Sequence, residues 1–472
     1  MSSFIHATCD ENIARAPGPS VRAGHPNLVL LTTILASSLA FVDGSVVNVG
    51  LHAIQMALGA QSDTLQWVIN IYLLPLTALL LLGGAAGDRF GRKRLLIIGT
   101  ALFALASAVC AVAPNASWLL LGRMVQGIGA GILLPNSLAI LGETFSGEQR
   151  GRAIGTWAAM SAVAGALGPV LGGWLIDLAG WRAIFVLNLP LALAAIALAV
   201  YAVHEAPAGQ KHVPLDLVGG ALVTIGLVLV TSALTIGTGS SGWTIQAIIA
   251  LTAGCGLMLV FVRFEEVRGE RAMMPLALFA SRSFIGLTLL TFFLYAALGG
   301  LLVVLPYTLI TAMNYSAVAA GASLLPLPLV IALASPFMGG LAGRTGARWP
   351  LAIGAFVVAG GFVLFLRMDP GGSYWSSILP AVLIVAIGMA CAAAPLTTAV
   401  LGAVDSAHTG SASGFNSAVS RLGGVIATAL VGVILGATGG ELLFNVHIAA
   451  IAGAVIACAA SLSAFVLVSP EN

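Results

Sequence analysis

Three ionisable side chains stand deep inside long apolar stretches of the sequence: Asp43, Arg123 and Arg421. A charge in such a setting is expensive and marks a functional position. A carboxylate there can take up and release a proton. A guanidinium there can hold that carboxylate, or an anionic group arriving from outside. If the stretches are helices, Asp43 lies about 22 Å from the start of the first and Arg123 about 8 Å from the start of the fourth. Those two run in opposite directions, so in a hydrocarbon core about 30 Å thick the pair sits at similar depth. Burial opposes the Asp43 charge and Arg123 favours it, so a cycle that separated them would change the hold on a proton. A fixed structural salt bridge is the alternative. Arg421, about 18 Å into its stretch, can bind an anionic substrate group or pair with helix carbonyls. Asn48, Tyr72, Gln126, Asn136, Tyr295, Tyr307 and Asn416 are polar residues in apolar surroundings. Each can line a substrate cavity or glue helices together.

Other chemistries lack their residues. There is no GxxxxGK[ST] loop for nucleotides, no HExxH, no GxSxG and no pair of carboxylates within the apolar stretches. The five cysteines are isolated, without CxxC or His-rich spacing, so no metal and no cofactor is expected. An intramembrane enzyme is thus disfavoured.

The elements that must position these residues follow from composition. Of 472 residues 59% are hydrophobic and 8% charged, against roughly 25% charged in a soluble domain. Apolar segments of bilayer-spanning length fall at about 28–52, 67–87, 95–113, 118–142, 153–178, 183–203, 215–237, 244–262, 284–312, 317–341, 349–366, 378–401, 409–437 and 447–468. The reading is an all-α polytopic membrane protein of about fourteen transmembrane helices. Residues 1–27 have no apolar core and read as a cytoplasmic tail, not a signal peptide.

Basic residues give the orientation. Arg15, Arg22, Arg89, Arg92, Lys93, Arg94, Arg150, Arg152, Lys211, Arg263, Arg268, Arg271, Arg282, Arg344 and Arg348 fall in the tail and alternate loops, and the opposite loops hold only Arg182 and Arg367. Both termini and the loop at about 263–283 are therefore expected in the cytoplasm. Arginine greatly outnumbers lysine, and alanine and glycine abound, a composition usual in bacterial genomes rich in G and C. The expected location is the bacterial cell (inner) membrane.

Two echoes indicate an internal duplication. GDRFGR, Gly87 to Arg92, returns degraded as AGRTGAR, Ala342 to Arg348, and RGRAIG, Arg150 to Gly155, is matched by TGSASG, Thr409 to Gly414, at nearly the same offset. Two six-helix halves, 28–203 and 284–468, with two inserted helices and a loop in 204–283, account for both echoes.

The loop GGAAGDRFGRKRL, Gly83 to Leu95, resembles the signature loop of the major facilitator superfamily at Gly84, Asp88, Arg89, Gly91, Arg92 and Lys93. LGRMVQGIGAG, Leu121 to Gly131, is similar to the RxxQGxG motif of the same superfamily, with Arg123 and Gln126 at its polar positions. GALGPVLGGWL, Gly165 to Leu175, resembles the fifth-helix motif of its antiporters at Gly168, Pro169, Gly172 and Gly173, with Ala164 where the leading glycine is usual. VDGSVVNVGLH, Val42 to His52, is similar to the first-helix segment of the fourteen-helix drug:proton antiporter family. There Ser45 replaces a usual Thr and His52 a usual Pro, which affects the helix exit. LQWVINIYLL, Leu65 to Leu74, and WRAIFVLNLP, Trp181 to Pro190, add to the likeness.

The resemblance implies proton-coupled export of small organic molecules by alternating access, with Asp43 and Arg123 coupling the proton and the signature loop switching conformation. The expected partners are a small-molecule substrate, protons and the lipid bilayer, with no nucleic acid and a monomer sufficient. An importer or proton symporter of the same fold is the alternative. A non-transporting membrane sensor is a third reading, but no loop is long enough for an interaction domain.

Overall fold

The computed structural model describes residues 25–145, 147–204, 216–239, 242–269, 276–369, 371–404, 409–437 and 439–469. Most of the expected N-terminal tail and part of the 263–283 loop lie outside them, as do the side chains of Asp88 and Arg150.

The described chain is helical nearly throughout. The helices are α1 (Pro26–Leu58), α2 (Ser62–Phe90), α3 (Arg92–Ala111), α4 (Ala116–Thr144), α5 (Gly147–Ala179) and α6 (Ala183–Ala202, interrupted at Leu187). Then come α7 (Leu217–Thr238), α8 (Ile245–Arg268) and α9 (Arg282–Thr311). The last are α10 (Ala317–Ala322 then Pro326–Thr345), α11 (Arg348–Leu364), α12 (Leu379–Gly402), α13 (Thr409–Leu430, with the short turn Gly432–Leu435 after it) and α14 (Gly439–Leu467). In hydrocarbon each backbone N–H and C=O must be satisfied within its own segment, which forces this choice on apolar runs of such length.

Short polar residues start several of them. Asn115, Asp216, Thr244, Ser281 and Ser316 each accept a hydrogen bond from the backbone N–H three residues on, satisfying a donor that the first turn leaves free. Hydroxyls inside the spans return to the preceding turn, as Thr100 does to the Leu96 carbonyl (2.7 Å) and Thr291 to that of Leu287 (2.8 Å).

Twelve helices among the described residues are long and apolar enough to cross a membrane. Helices α5 and α13 are not among the twelve, although they have 33 and 22 residues. Differences from the expected boundaries have local causes. With His52 in place of a helix-ending proline, α1 runs on to Leu58. The tenth segment breaks near Leu325, because Pro326 and Pro328 have no N–H to continue the ladder. Helix α8 extends through Arg268, so the first residues assigned to the 263–283 loop are helical.

The packing has an internal order. Within α1–α6, α1 contacts α4, α5 and α6, α4 packs on α2 and α3, and α3 meets α6; α9–α14 repeat every one of these pairings in the same order. Between the two sets the main contacts are α1 with α9, α2 with α13 and α5 with α10. Helices α7 and α8 form a hairpin, with α7 lying against both α2 and α13. Large apolar side chains such as Leu105, Ile249, Phe337, Phe356 and Leu462 point away from the protein, a surface that only lipid can cover on this scale.

Candidate functional site

Asp43 is fully buried on α1, and its carboxylate meets three donors. Arg123 on α4 pairs with Oδ2 through Nη1. Gln126 Nε2 and Asn188 Nδ2 donate to Oδ1 at 3.2 and 3.0 Å. Ser107 on α3 ties these two amides together, at 2.8 Å from Gln126 and 3.3 Å from Asn188. The Arg123 guanidinium also donates from Nη1 to Gln126 Oε1 (2.9 Å) and from Nε to the Val68 carbonyl (3.1 Å). Its carbon lies 4.3 Å from the centre of the Tyr72 ring, close enough for a cation–π contact. Asp43, Gln126, Asn188 and Ser107 have no exposed surface at all. One ion pair therefore sits in a closed polar cage contributed by α1, α3, α4 and α6.

Close helix approach makes that cage possible. A side chain at Gly127 would overlap the Tyr72 carbonyl and Pro75 on α2, and one at Gly129 would meet the Gly99 carbonyl of α3 at 2.8 Å. Helix α4 thus uses glycines on two faces, one toward each neighbour, which brings Arg123 within reach of Val68 and Asp43. At the far end of α2, Asn136 donates to the Gly83 carbonyl (3.0 Å) and fills the space that a Cβ on Gly87 would need. The chain then turns at Gly91, whose φ of +100° suits only glycine. Arg92 binds the Ala139 carbonyl (3.2 Å) and Glu143 (2.9 Å) on α4, and Lys93 reaches the Val200 carbonyl of α6 (3.0 Å). The 83–95 segment is so locked to the ends of α4 and α6.

Helix α5 presents two glycine faces as well. Gly168 and Gly172 lie against Ser45 and Val46 of α1, while Gly173 and Pro169 lie against Ala317 and Gly321 of α10. Beside that second seam, Asp177 accepts from the backbone N–H groups of Ala317 (3.3 Å) and Val318 (3.1 Å). Two further links join the first helix set to the second. The Tyr307 hydroxyl on α9, with its single proton, lies within hydrogen-bond distance of both Gln55 Oε1 (3.0 Å) and the Leu435 carbonyl (2.8 Å). Gln66, its amide turned so that nitrogen faces the carbonyl, donates to Ala429 (2.9 Å) and accepts from Gly432 N–H (3.2 Å). All these links gather at one end of the bundle, beside the turns after α1, α5, α9 and α13.

The model of the Major Facilitator Superfamily matches residues 33–428. The chain belongs to this superfamily. Its relatives include the methylenomycin A resistance protein of Bacillus subtilis, 32% identical over 86% of this chain and 87% of that one. The puromycin resistance protein pur8 of Streptomyces alboniger is 34% identical, over 86% and 81%. The multidrug resistance protein Stp of Mycobacterium tuberculosis is 32% identical, over 87% and 76%. Among solved structures, an inward-facing, unoccupied bacterial homologue of the lysosomal transporter Spinster superposes with a TM-score of 0.68 at 17% identity, covering 94% of this chain and 97% of that one. A D-xylose–proton symporter gives 0.68 at 15% identity, covering 94% and 98%. These last two share the fold. As a member of this superfamily the chain is a multi-pass membrane transporter of small molecules and not an enzyme.

Within the superfamily fold the polar residues expected around a cavity occupy different places. Gln126 belongs to the Asp43 cage and Asn136 to the α2–α4 seam. Tyr307 belongs to the link with Gln55. Asn48 is buried with its carbonyl oxygen unpartnered, and Asn416 accepts from Thr291 at 2.6 Å. Tyr72 donates to the Ala40 carbonyl (3.1 Å) and lies within electrostatic reach of Arg421. Tyr295 is partly buried on α9. Sequence reading missed Ser107 and Asn188. Asn188 is the only amide in WRAIFVLNLP, and an amide in an apolar span was the signal for it. Ser107 had none. His52, read from the sequence only as affecting the helix exit, has its Nδ1 buried without a partner one turn from Asn48.

Proposed function

We propose that this transporter is a proton-coupled exporter of small organic molecules, working by alternating access between two six-helix halves, 28–203 and 284–468, with the α7–α8 hairpin as an insertion. The observation that carries the coupling is the buried Asp43 cage. Asp43 is the one carboxylate in the middle of a described helix, since the buried Glu265 lies in the last turn of α8 and the buried Asp216 caps α7, and Arg123 is a cation whose distance from it a helix movement can change. The repeated order of helix pairings supports the two halves. The antibiotic-resistance names of the relatives support export, and make puromycin and methylenomycin A sensible first substrates to test.

The distribution of basic residues supports fourteen crossings with both termini in the cytoplasm of a bacterial cell. With that orientation, the Asp177, Tyr307 and Gln66 links lie on the outer side and support an inward-facing reading of this form. In it the signature loop, with Asp88 at the end of α2, lies on the cytoplasmic side and biases one access state. A single chain contains the complete site, so a monomer is sufficient. The test is transport by inverted vesicles with an imposed pH difference. Accumulation of substrate in exchange for protons supports the exporter. Movement of substrate in the same direction as protons would establish the symporter in its place.

A further inference from the structure

Arg421 lies about 18 Å along α13 and is partly exposed. It shares a helix face with Val425, which packs against Leu74 of α2, and with Ala429, which receives Gln66. It therefore continues the α2–α13 seam inward from the closed end, to where it comes within electrostatic reach of Tyr72. The same ring carries Arg123, 4.3 Å from its centre.

Among the described residues Arg421 has no ion pair and no hydrogen bond. Pairing with helix carbonyls, one of the two uses its sequence position allows, is absent. Nor can Asp43 serve it, because Arg123 takes one carboxylate oxygen while Gln126 and Asn188 take the other. The first helix set neutralises its own buried charge, whereas the second presents a cation with no counter-charge among the described residues. An uncompensated charge at this depth is costly, and a fold keeps it only where something else supplies the counter-charge. Guanidinium fits a carboxylate through two parallel hydrogen bonds, which a monatomic ion such as chloride cannot match.

We propose that Arg421 anchors the anionic group of the transported molecule, and that the substrates include organic monoanions: a carboxylate on an apolar body. This deepens the exporter reading and rests on it for direction only. One unpaired guanidinium selects a single negative charge. Export of a monoanion against one entering proton then carries two charges across the membrane per cycle, where a neutral substrate carries one. Each charge adds about 2.3 kcal/mol of drive per 100 mV.

The test is binding to the purified full-length protein in detergent of aryl carboxylates, such as 2-naphthoate and 9-anthracenecarboxylate, each beside its neutral amide. Wild type should bind acids at least about tenfold more tightly than their amides, in keeping with a charge-assisted pair. Arg421→Gln should erase that preference, and Arg421→Lys should keep part of it. Ligand-free Arg421→Gln should also melt at a higher temperature than wild type, since it sheds an uncompensated charge. If no acid binds better than its amide, or if Arg421→Gln keeps the preference, water or inorganic ions balance Arg421 and the proposal falls. A lower melting temperature would likewise show a structural arginine. Binding needs neither a proton gradient nor a direction, so these results stand apart from those of the vesicle test.

Discussion

At the scale of residues, Arg123 and Asp43 depend on each other. Removing the guanidinium alone leaves a carboxylate in a cage with no exposed surface, a change that costs about 3–5 kcal/mol in buried pairs. Arg123→Ala should therefore lower the thermal stability of the purified protein sharply. Asp43→Asn combined with Arg123→Gln should recover most of the loss, because both charges leave together. Equal destabilisation by the single and double variants would contradict a buried pair. Asn188→Ala removes one of two amide donors to Oδ1, so it should destabilise by about 1–3 kcal/mol, within the range for a lost bond to a buried charged group. Asp43 and Arg123 were legible in the sequence because a charge among apolar residues has one economical explanation. Ser107 was not, since a serine in a helix ordinarily satisfies itself against the preceding turn, as Ser107 also does with the Phe103 carbonyl (2.8 Å).

At the scale of elements, glycine seams decide which helices can touch. Gly168 and Gly172 face α1 while Gly173 faces α10, so the same α5 belongs to a seam within its own helix set and to one between the two sets, the one that the proposed alternating access must open. Gly172→Leu should reduce membrane abundance, because Val46 cannot retreat. Asp177→Asn should leave abundance near wild type and weaken the cap over Ala317 and Val318, raising the reactivity of a cysteine placed at the partly exposed Ala319 toward an impermeant thiol reagent. Unchanged reactivity would show that Asp177 does not hold that end closed. Asp88→Asn should lower transport more than abundance, and transport at the wild-type rate would reduce its loop to an anchor. The all-helical class and the order of the helices followed from apolar run length, whereas the breaks at Leu187 and Leu325 did not. Those depend on prolines and on packing that hydropathy does not register. The duplication was visible in two loop echoes, yet the α7 contacts with both α2 and α13 had no trace in the sequence, because neither partner carries a pattern that names the other.

At the scale of the whole molecule, orientation and coupling are the two claims. A cysteine introduced at Ser373, in the turn before α12, should react with an impermeant reagent applied to intact cells, and one at Glu266, at the end of α8, should not. The reverse pattern would invert the topology and turn the Asp177 closure to the cytoplasmic side. Coupling follows from one titratable group. An inward potential supplies about 2.3 kcal/mol per proton per 100 mV, enough for tens-fold accumulation of a neutral substrate through a single carboxylate. Asp43→Asn keeps the size and polarity of the side chain while removing its capacity to carry that proton. The decisive measurement compares uphill transport with equilibrium exchange in inverted vesicles under an imposed pH difference, at matched protein level. Asp43→Asn should still exchange substrate down its gradient but neither accumulate it nor release protons in return. Full pH-driven accumulation by Asp43→Asn would place the coupling elsewhere, with Glu143 and Asp177 at the helix ends as the next groups to examine.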